Sequence, residues 1–143
     1  MHAAVSAAER VLKEAGAEVT TLHHPRQSEQ AAEANAARAD VYLGLRLDPA
    51  AAGCSSAHYA GHRYESPGGR RLAQLVQAAL PAAVGIADLG VRGMAIPVLK
   101  ETRMPAVVCE LGPPATVVAR TGELADALGR ALAAWVASPV EEP

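Results

Sequence analysis

The sequence predicts an α/β fold: an open, mostly parallel sheet with helices on both faces, formed by one domain over residues 1–138, with a flexible tail at 139–143. Helical and apolar strand-like segments alternate along the whole chain, which is typical of such folds. The run DVYLGLRL at 40–47 lacks polar alternation and indicates a strand covered on both faces. With 50% hydrophobic and 20% charged residues, the 143-residue chain can bury a core without disulfides or a structural metal.

The first 60 residues are predicted to contain two helices and three strands. Small apolar residues recur at helical spacing up to Gly16, a residue that commonly ends a helix. A short strand is expected at Ala17–Leu22. Ser28 is expected to cap a second helix that ends at Ala39. The strand at 40–47 follows, and GCSSAHYAGHRY is expected to form a strand running into a loop.

The remaining residues are predicted to form two long helices and two short strands. Ser66 followed by proline is a strong helix start, and Pro81 is expected to end that helix. The glycine-punctuated segment VGIADLGVRGM is expected to be a loop. Strands are predicted at Ala95–Leu99 and Ala106–Leu111, before GPPA interrupts the chain. Thr121 begins the last helix, with leucines and a tryptophan on its inner side.

Composition and charge exclude several classes of protein. A net charge of −2 leaves no basic surface for a nucleic-acid backbone. No apolar run approaches the roughly 18 residues that a membrane span needs. The first residues lack the basic and apolar regions of a signal peptide, so we expect the cytoplasm if the chain is complete and an extracytoplasmic location if a signal part is missing. Two cysteines make no disulfide framework.

Three stretches, in order, resemble one enzyme family. They are EANAARADVYLGLRLDP at 33–49, ESPGGRRLAQLVQAAL at 65–80 and VLKETRMPAVVCELG at 98–112. Together they are similar to the zinc-dependent N-acetylmuramoyl-L-alanine amidases of the amidase-3 type, and the resemblance covers most of residues 5–136. These enzymes cleave the bond between the glycan and the stem peptide of the bacterial cell wall. The resemblance therefore implies a peptidoglycan fragment as ligand.

The resemblance also assigns site residues. The family holds one zinc ion with two histidines and a glutamate, and a second glutamate is catalytic. The first histidine and the glutamate ligand match no residue of this chain, which also lacks the family's first strand. The second histidine corresponds to Arg46, which has no lone pair to give a metal. Glu110 matches the catalytic glutamate. We therefore predict no metal and no cofactor, with Arg46 and Arg103 as ligand-binding residues.

Glu110 and Cys109 carry the chemistry that the residues themselves suggest. Glu110 ends a predicted strand, and ligands of open α/β sheets bind at carboxyl ends of strands, although the carboxylate could simply cap a loop. Cys109 is expected to be a buried strand cysteine rather than a nucleophile. Arg46 is expected to take the electrostatic role of the missing metal and to pair with Glu110, directly or through one water.

A substitute metal site and an anion site are weaker alternatives. His58 and His62 are four residues apart, and His23 and His24 are adjacent. Because that spacing helps only on a helix, we expect surface or loop histidines instead. Two arginines at 70–71, near the predicted helix start, hint at a nearby anion or carboxylate, since positive charge is disfavoured there.

Three functions follow from this sequence. The first is a non-catalytic amidase-family domain, a pseudoenzyme that binds a muropeptide or a protein partner and acts as a regulatory module. The second is the C-terminal part of an active zinc amidase that hydrolyses the MurNAc–L-Ala amide bond. The third is an interaction domain without a cell-wall ligand. A homo-oligomer is also expected, because loss of the first strand leaves a bare sheet edge.

Overall fold

Six helices and four strands alternate along residues 2–22 and 24–140, the part of the chain that the computed structural model describes. The helices are α1 (His2–Glu14), α2 (Gln27–Ala36), α3 (Pro67–Val84), α4 (Pro97–Glu101), α5 (Pro114–Ala119) and α6 (Thr121–Ala137). The strands are β1 (Tyr42–Leu47), β2 (Gly53–Tyr59), β3 (Ala87–Met94) and β4 (Ala106–Leu111). None of these described helices has both the length and the apolarity that a membrane crossing requires.

The four strands form one open mixed sheet in the order β1-β4-β2-β3. Two of the three pairings, β1 with β4 and β2 with β3, are parallel, whereas β2 and β4 are antiparallel. The α/β class and the open sheet are confirmed. The carboxyl ends of β1 and β4 consequently lie at the same edge of the sheet, next to the amino end of β2.

Helices cover both faces of this sheet. Val107, Cys109 and Leu111 of β4 face the larger core, which α1, α3 and α6 complete. Alternate residues Ala106 and Val108 face a smaller core beneath α2 and α4. This alternation is the period-two geometry of a strand with two buried faces. The smaller core covers the first part of β4, and Glu110, two residues further on, keeps a side-chain exposure of 25%.

The start of α3 follows the prediction and its end does not. The Ser66 hydroxyl accepts a hydrogen bond from the Gly69 backbone N–H at 2.9 Å, which confirms the cap. Pro81, expected to end the helix, lies inside it. The helix continues to Val84 and ends at Gly85, whose φ is +75°. Leu80 and Val84 are fully buried, so packing of the apolar face outweighs the hydrogen bond that proline removes.

The glycine-rich segment predicted as a loop forms strand β3. It pairs in parallel with β2, and the register shifts between Cys54 and Ser56. Gly90 has a φ of +86°, which side chains rarely adopt. A Cβ at Gly93 would lie 2.4 Å from the Cβ of Ala60. Gly90 therefore allows an unusual backbone conformation within the strand, and Gly93 allows β3 to pack closely against Ala60, so the glycines do not mark a loop.

Two other predicted strands are absent from the described sheet. Residues 95–99 contribute to helix α4, in which Pro97 is the first residue and Val98 and Leu99 are buried. A short apolar run does not distinguish a strand from a buried helical turn. Residues Ala17–Leu22 follow α1 without joining the sheet, since they have no ladder partner within the part of the chain described.

Helix α2 begins and ends earlier than predicted. Its N-cap is Arg26, without a side-chain cap, and it ends at Ala36. The Ser28 hydroxyl donates instead to a carboxylate oxygen of Glu101 at 3.0 Å, so it ties α2 to α4. Helix α5 begins inside the GPPA segment, with Pro114 as its first residue, and α6 begins at Thr121 as expected. Residues 141–143 of the predicted tail lie outside the described residues.

Candidate functional site

Arg46, Glu110 and Ser55 form a row across three adjacent strands. Arg46 of β1 is the register partner of Glu110 of β4, and Glu110 is in turn the register partner of Ser55 of β2. Directly paired residues place their side chains on the same face of a sheet. The row therefore lies on the face that α2 and α4 partly cover, at the carboxyl ends of β1 and β4. Together with Arg92 of β3, these residues are called the Arg46–Glu110 site below.

Glu110 forms its ion pair with Arg92, a residue that sequence analysis did not single out. Nη2 of Arg92 lies 3.3 Å from Oε2 of Glu110. Arg46 and Glu110 were predicted to pair directly or through one water. The direct form is not found, because within the described residues the guanidinium in ionic contact with Glu110 belongs to Arg92, and the water-bridged form stays a prediction. The reason is the sheet order: β3 was predicted as a loop, and only its pairing with β2 brings Arg92 over the site.

Arg46 is half-buried, and within the part of the chain that the structure describes it forms no ion pair. It lies in electrostatic range of Tyr42, four residues earlier on the same face. Burial raises the pKa of the Tyr42 hydroxyl, and the Arg46 charge lowers it by a smaller amount. Between them Gly44 has no side chain, and a Cβ there would lie 3.2 Å from the Tyr42 hydroxyl. That hydroxyl donates to Oε1 of Gln30 in α2 at 2.8 Å.

The residues of the Arg46–Glu110 site do not fit a zinc ion. A catalytic zinc takes about three protein ligands of the histidine, cysteine or carboxylate type. The site offers one carboxylate, already paired with Arg92, and a guanidinium at position 46, where the resemblance places a histidine. Elsewhere in the described residues, no group of three or more histidine, cysteine, aspartate or glutamate side chains could hold a metal ion.

Arg103 lies away from this site. It precedes β4, at the strand end opposite to Glu110, and its side chain is exposed. Its backbone N–H donates to Oδ1 of Asn35 at 2.8 Å. The structure thus brings together Arg46 and Glu110 from the predicted residues and leaves Arg103 in the connection between α4 and β4.

The other histidines belong to separate surroundings. Nε2 of His58 lies 2.8 Å from Oε1 of Glu65, and the His58 ring is buried with its Nδ1 unpartnered. His62 is exposed in the following turn, and His24 pairs with Glu29. His23 lies outside the described residues. His58 lies on strand β2 and not on a helix, but its ring is buried, so the expectation of a surface or loop histidine is wrong for this residue.

Both cysteines are buried structural residues. Cys54 and Cys109 have no exposed surface, and burial raises the pKa of each thiol to about 12. The prediction of a buried strand cysteine at 109 is confirmed. An anion does lie near the two arginines at 70–71: it is the carboxylate of Glu65, whose Oε1 is 3.7 Å from Nη1 of Arg70.

Solved structures with the same fold define the class of this domain. The catalytic domain of CwlV, an N-acetylmuramoyl-L-alanine amidase from Bacillus (Paenibacillus) polymyxa var. colistinus, matches with a TM-score of 0.79 at 19% identity, over 94% of this chain and 82% of that one. The CwlD amidase from Clostridioides difficile, solved in complex with the GerS lipoprotein, matches with a TM-score of 0.70 at 13% identity, over 94% and 83%. The fold is that of an amidase catalytic domain.

The sequence itself shows the family. The model of the Amidase_3 family, N-acetylmuramoyl-L-alanine amidase, matches residues 2–115, so the chain belongs to this family. The N-acetylmuramoyl-L-alanine amidase CwlM of Mycobacterium tuberculosis is 37% identical over 97 residues, which cover 64% of this chain and 24% of that protein. The chain thus spans about a quarter of the length of that relative.

Proposed function

We propose that this domain is a non-catalytic member of the amidase family that binds a peptidoglycan fragment or a protein partner without cleaving it. One observation carries the proposal: at the site where the family resemblance places a zinc ligand and a catalytic glutamate, this chain has Arg46 and an Arg92–Glu110 ion pair. The two guanidiniums occupy a position at which the reaction requires a cation-binding group.

The chemistry of the site supports this proposal. Zinc-dependent hydrolysis needs a metal to lower the pKa of water and a carboxylate to take its proton. Arg46 bears a permanent positive charge and repels a divalent cation at short range. The Glu110 carboxylate is held in an ion pair with the Arg92 guanidinium, at 3.3 Å.

The same residues are suited to binding. Arginine guanidiniums meet carboxylates through two parallel hydrogen bonds, and a neighbouring carboxylate can accept peptide N–H groups. The site also lies at the carboxyl ends of β1 and β4, where ligands of α/β sheets bind. A protein partner is a second form of the proposal, supported by the solved complex of the related fold CwlD with the GerS lipoprotein.

The experiment combines metal analysis with a cleavage assay on the purified chain. We expect well under one zinc per chain, no release of stem peptide from peptidoglycan, and retention of the chain on a muropeptide column. An Arg46→His variant serves as a control, because one histidine beside Glu110 still falls short of three ligands. About one tightly held zinc per native chain, together with stem-peptide release, would instead establish an active zinc amidase.

A further inference from the structure

We propose that Arg46 binds the free carboxylate of a peptide ligand, and that the Arg92–Glu110 ion pair lies beside the bound carboxylate. This inference rests on the proposed function and specifies the chemistry of the ligand. It begins from the electrostatic asymmetry of the site, in which one arginine is paired and the other is not.

Among the described residues, the pairing leaves one positive charge of this site without a partner. Arg92 and Glu110 neutralise each other at 3.3 Å, so the site of Arg46, Arg92 and Glu110 has a formal charge of +1. Arg46 is half-buried, whereas Arg92 and Arg103 are exposed. Withdrawal of a charge from water costs free energy unless an opposite charge approaches it. A monoanionic ligand at Arg46 supplies that charge.

The geometry favours a carboxylate over a phosphate. The guanidinium fork matches the two oxygens of a planar carboxylate. A single negative charge neutralises the +1 charge of the site. The second negative charge of a phosphate dianion would have no positive partner there, and Glu110 on the adjacent strand would repel it. Glu110 keeps 25% side-chain exposure, so its outer oxygen lone pairs can accept an N–H from the same peptide.

The surroundings of Arg46 leave access from the side of β1. The Tyr42 ring lies over Gly44, where an added Cβ would be 3.2 Å from the hydroxyl, and its hydrogen bond to Gln30 fixes it there, so the open approach is from the outer edge of β1. β1 is an outer strand of the described sheet, and all six of its residues are partly exposed. A peptide can therefore approach along β1 with its carboxylate at Arg46.

The test is a calorimetric titration of the full chain at low ionic strength. The probes are an N-acetylmuramoyl tetrapeptide built with D-isoglutamine and lysine, so that its C-terminal carboxylate is its one carboxylate, and the same compound with a C-terminal carboxamide. We expect the acid to bind at least about tenfold more tightly, in line with one charged hydrogen-bonded pair. The preference should disappear in Arg46→Gln and persist in the matched variant Arg130→Gln, which removes an exposed guanidinium of α6 on the other face of the sheet.

Two further measurements separate the possible failures. Arg46→Lys keeps the positive charge but lacks the two parallel donors of a guanidinium, so it should retain only part of the preference for the acid over the carboxamide. A partial preference would also show that loss of preference in Arg46→Gln is not caused by misfolding. Equal binding of acid and carboxamide would overturn the carboxylate inference and leave the proposed function intact. If neither compound binds, muropeptide binding fails, and trialanine with free and amidated termini then decides: an Arg46-dependent preference for the acid supports the inference, and equal or no binding overturns it.

Discussion

Arg92 and Glu110 form an ion pair across an intervening strand. β3 and β4 lie on either side of β2, so their backbones are roughly 10 Å apart at the usual strand spacing. Two long side chains span this gap and meet at 3.3 Å. The β2 residues that pair with them, Ser55 opposite Glu110 and Ala57 opposite Arg92, are small and almost fully buried. Because Ser55 and Ala57 are small, the side chains of Arg92 and Glu110 can extend over β2 and reach each other.

A double-mutant cycle of Arg92→Gln and Glu110→Gln should give a coupling free energy of at most about 1 kcal/mol, because the Arg92 side chain is 52% exposed and such pairs are screened by water. The measurement is urea unfolding of the four proteins. The matched cycle of Arg46→Gln with Glu110→Gln should show less coupling. A larger value for the Arg46 cycle would mean that Arg46, and not Arg92, is the partner of Glu110 in solution.

Gly93→Ala should destabilise the protein by about 1–3 kcal/mol, because the added Cβ would lie 2.4 Å from the Cβ of Ala60 and the strands must move apart. Gly122→Ala, in α6 with no atom within 4 Å of the added Cβ, should instead stabilise it by about 0.5–1 kcal/mol. Thermal unfolding of both variants measures the difference. Equal effects of the two substitutions would contradict the close packing of β3 against residue 60.

Gln77→Leu should cost about 1–3 kcal/mol, because the buried Gln77 side chain bonds two buried groups of β2 and the exposed Asp88 of β3. Its Oε1 accepts from the Ser56 hydroxyl at 2.8 Å, and its Nε2 donates to the Cys54 carbonyl at 2.7 Å and to Oδ1 of Asp88 at 2.6 Å. Urea unfolding of the variant measures the loss. An unchanged midpoint would show that water replaces these contacts without cost.

The same network predicts a pH dependence. The hydrogen bond from Gln77 lowers the pKa of Asp88 below its ordinary value of 3.8. A lowered folded-state pKa stabilises the folded protein above the unfolded pKa, and this contribution is lost as the pH falls through the folded value. The stability difference between native protein and Gln77→Leu should therefore shrink below about pH 4. In an Asp88→Asn background, that shrinkage should be absent.

Neither cysteine should react with a thiol reagent in the folded protein at pH 8. Both Cys54 and Cys109 are fully buried with a pKa of about 12, so almost no thiolate is present. Titration with a disulfide reagent should detect two thiols in urea and none in buffer within minutes. Fast reaction of one thiol in buffer would show that β2 and β4 separate at low cost.

Self-association remains a prediction. In the described sheet the outer strands are β1 and β3, and β3 exposes Leu89 at 55%. Bare strand edges favour pairing with another chain. Light scattering should show a mass that rises with concentration, and Leu89→Lys on β3 should reduce this rise. A constant monomer mass over a wide concentration range would argue against it.

Much of the fold was predictable because its signals are local. The Ser66 cap, the glycine after α1 and the apolar side of α6 depend on residues within a turn or two of each other. The α/β class follows from the order of such segments. The errors fall where packing overrides local signals: Pro81 inside α3, and the glycines of β3, which looked like a loop until their pairing with β2 was known.

The sequence by itself determined the family and the strand that carries Glu110, and it has an arginine at position 46, where the family resemblance places a histidine. Only the tertiary structure decided which arginine meets Glu110. That contact joins residues 18 positions apart on strands separated by a third, and it depends on register and strand order. Both are set by long-range pairing and burial, since a strand's own residues do not specify its neighbour. The unpaired charge of Arg46 follows from the same arrangement.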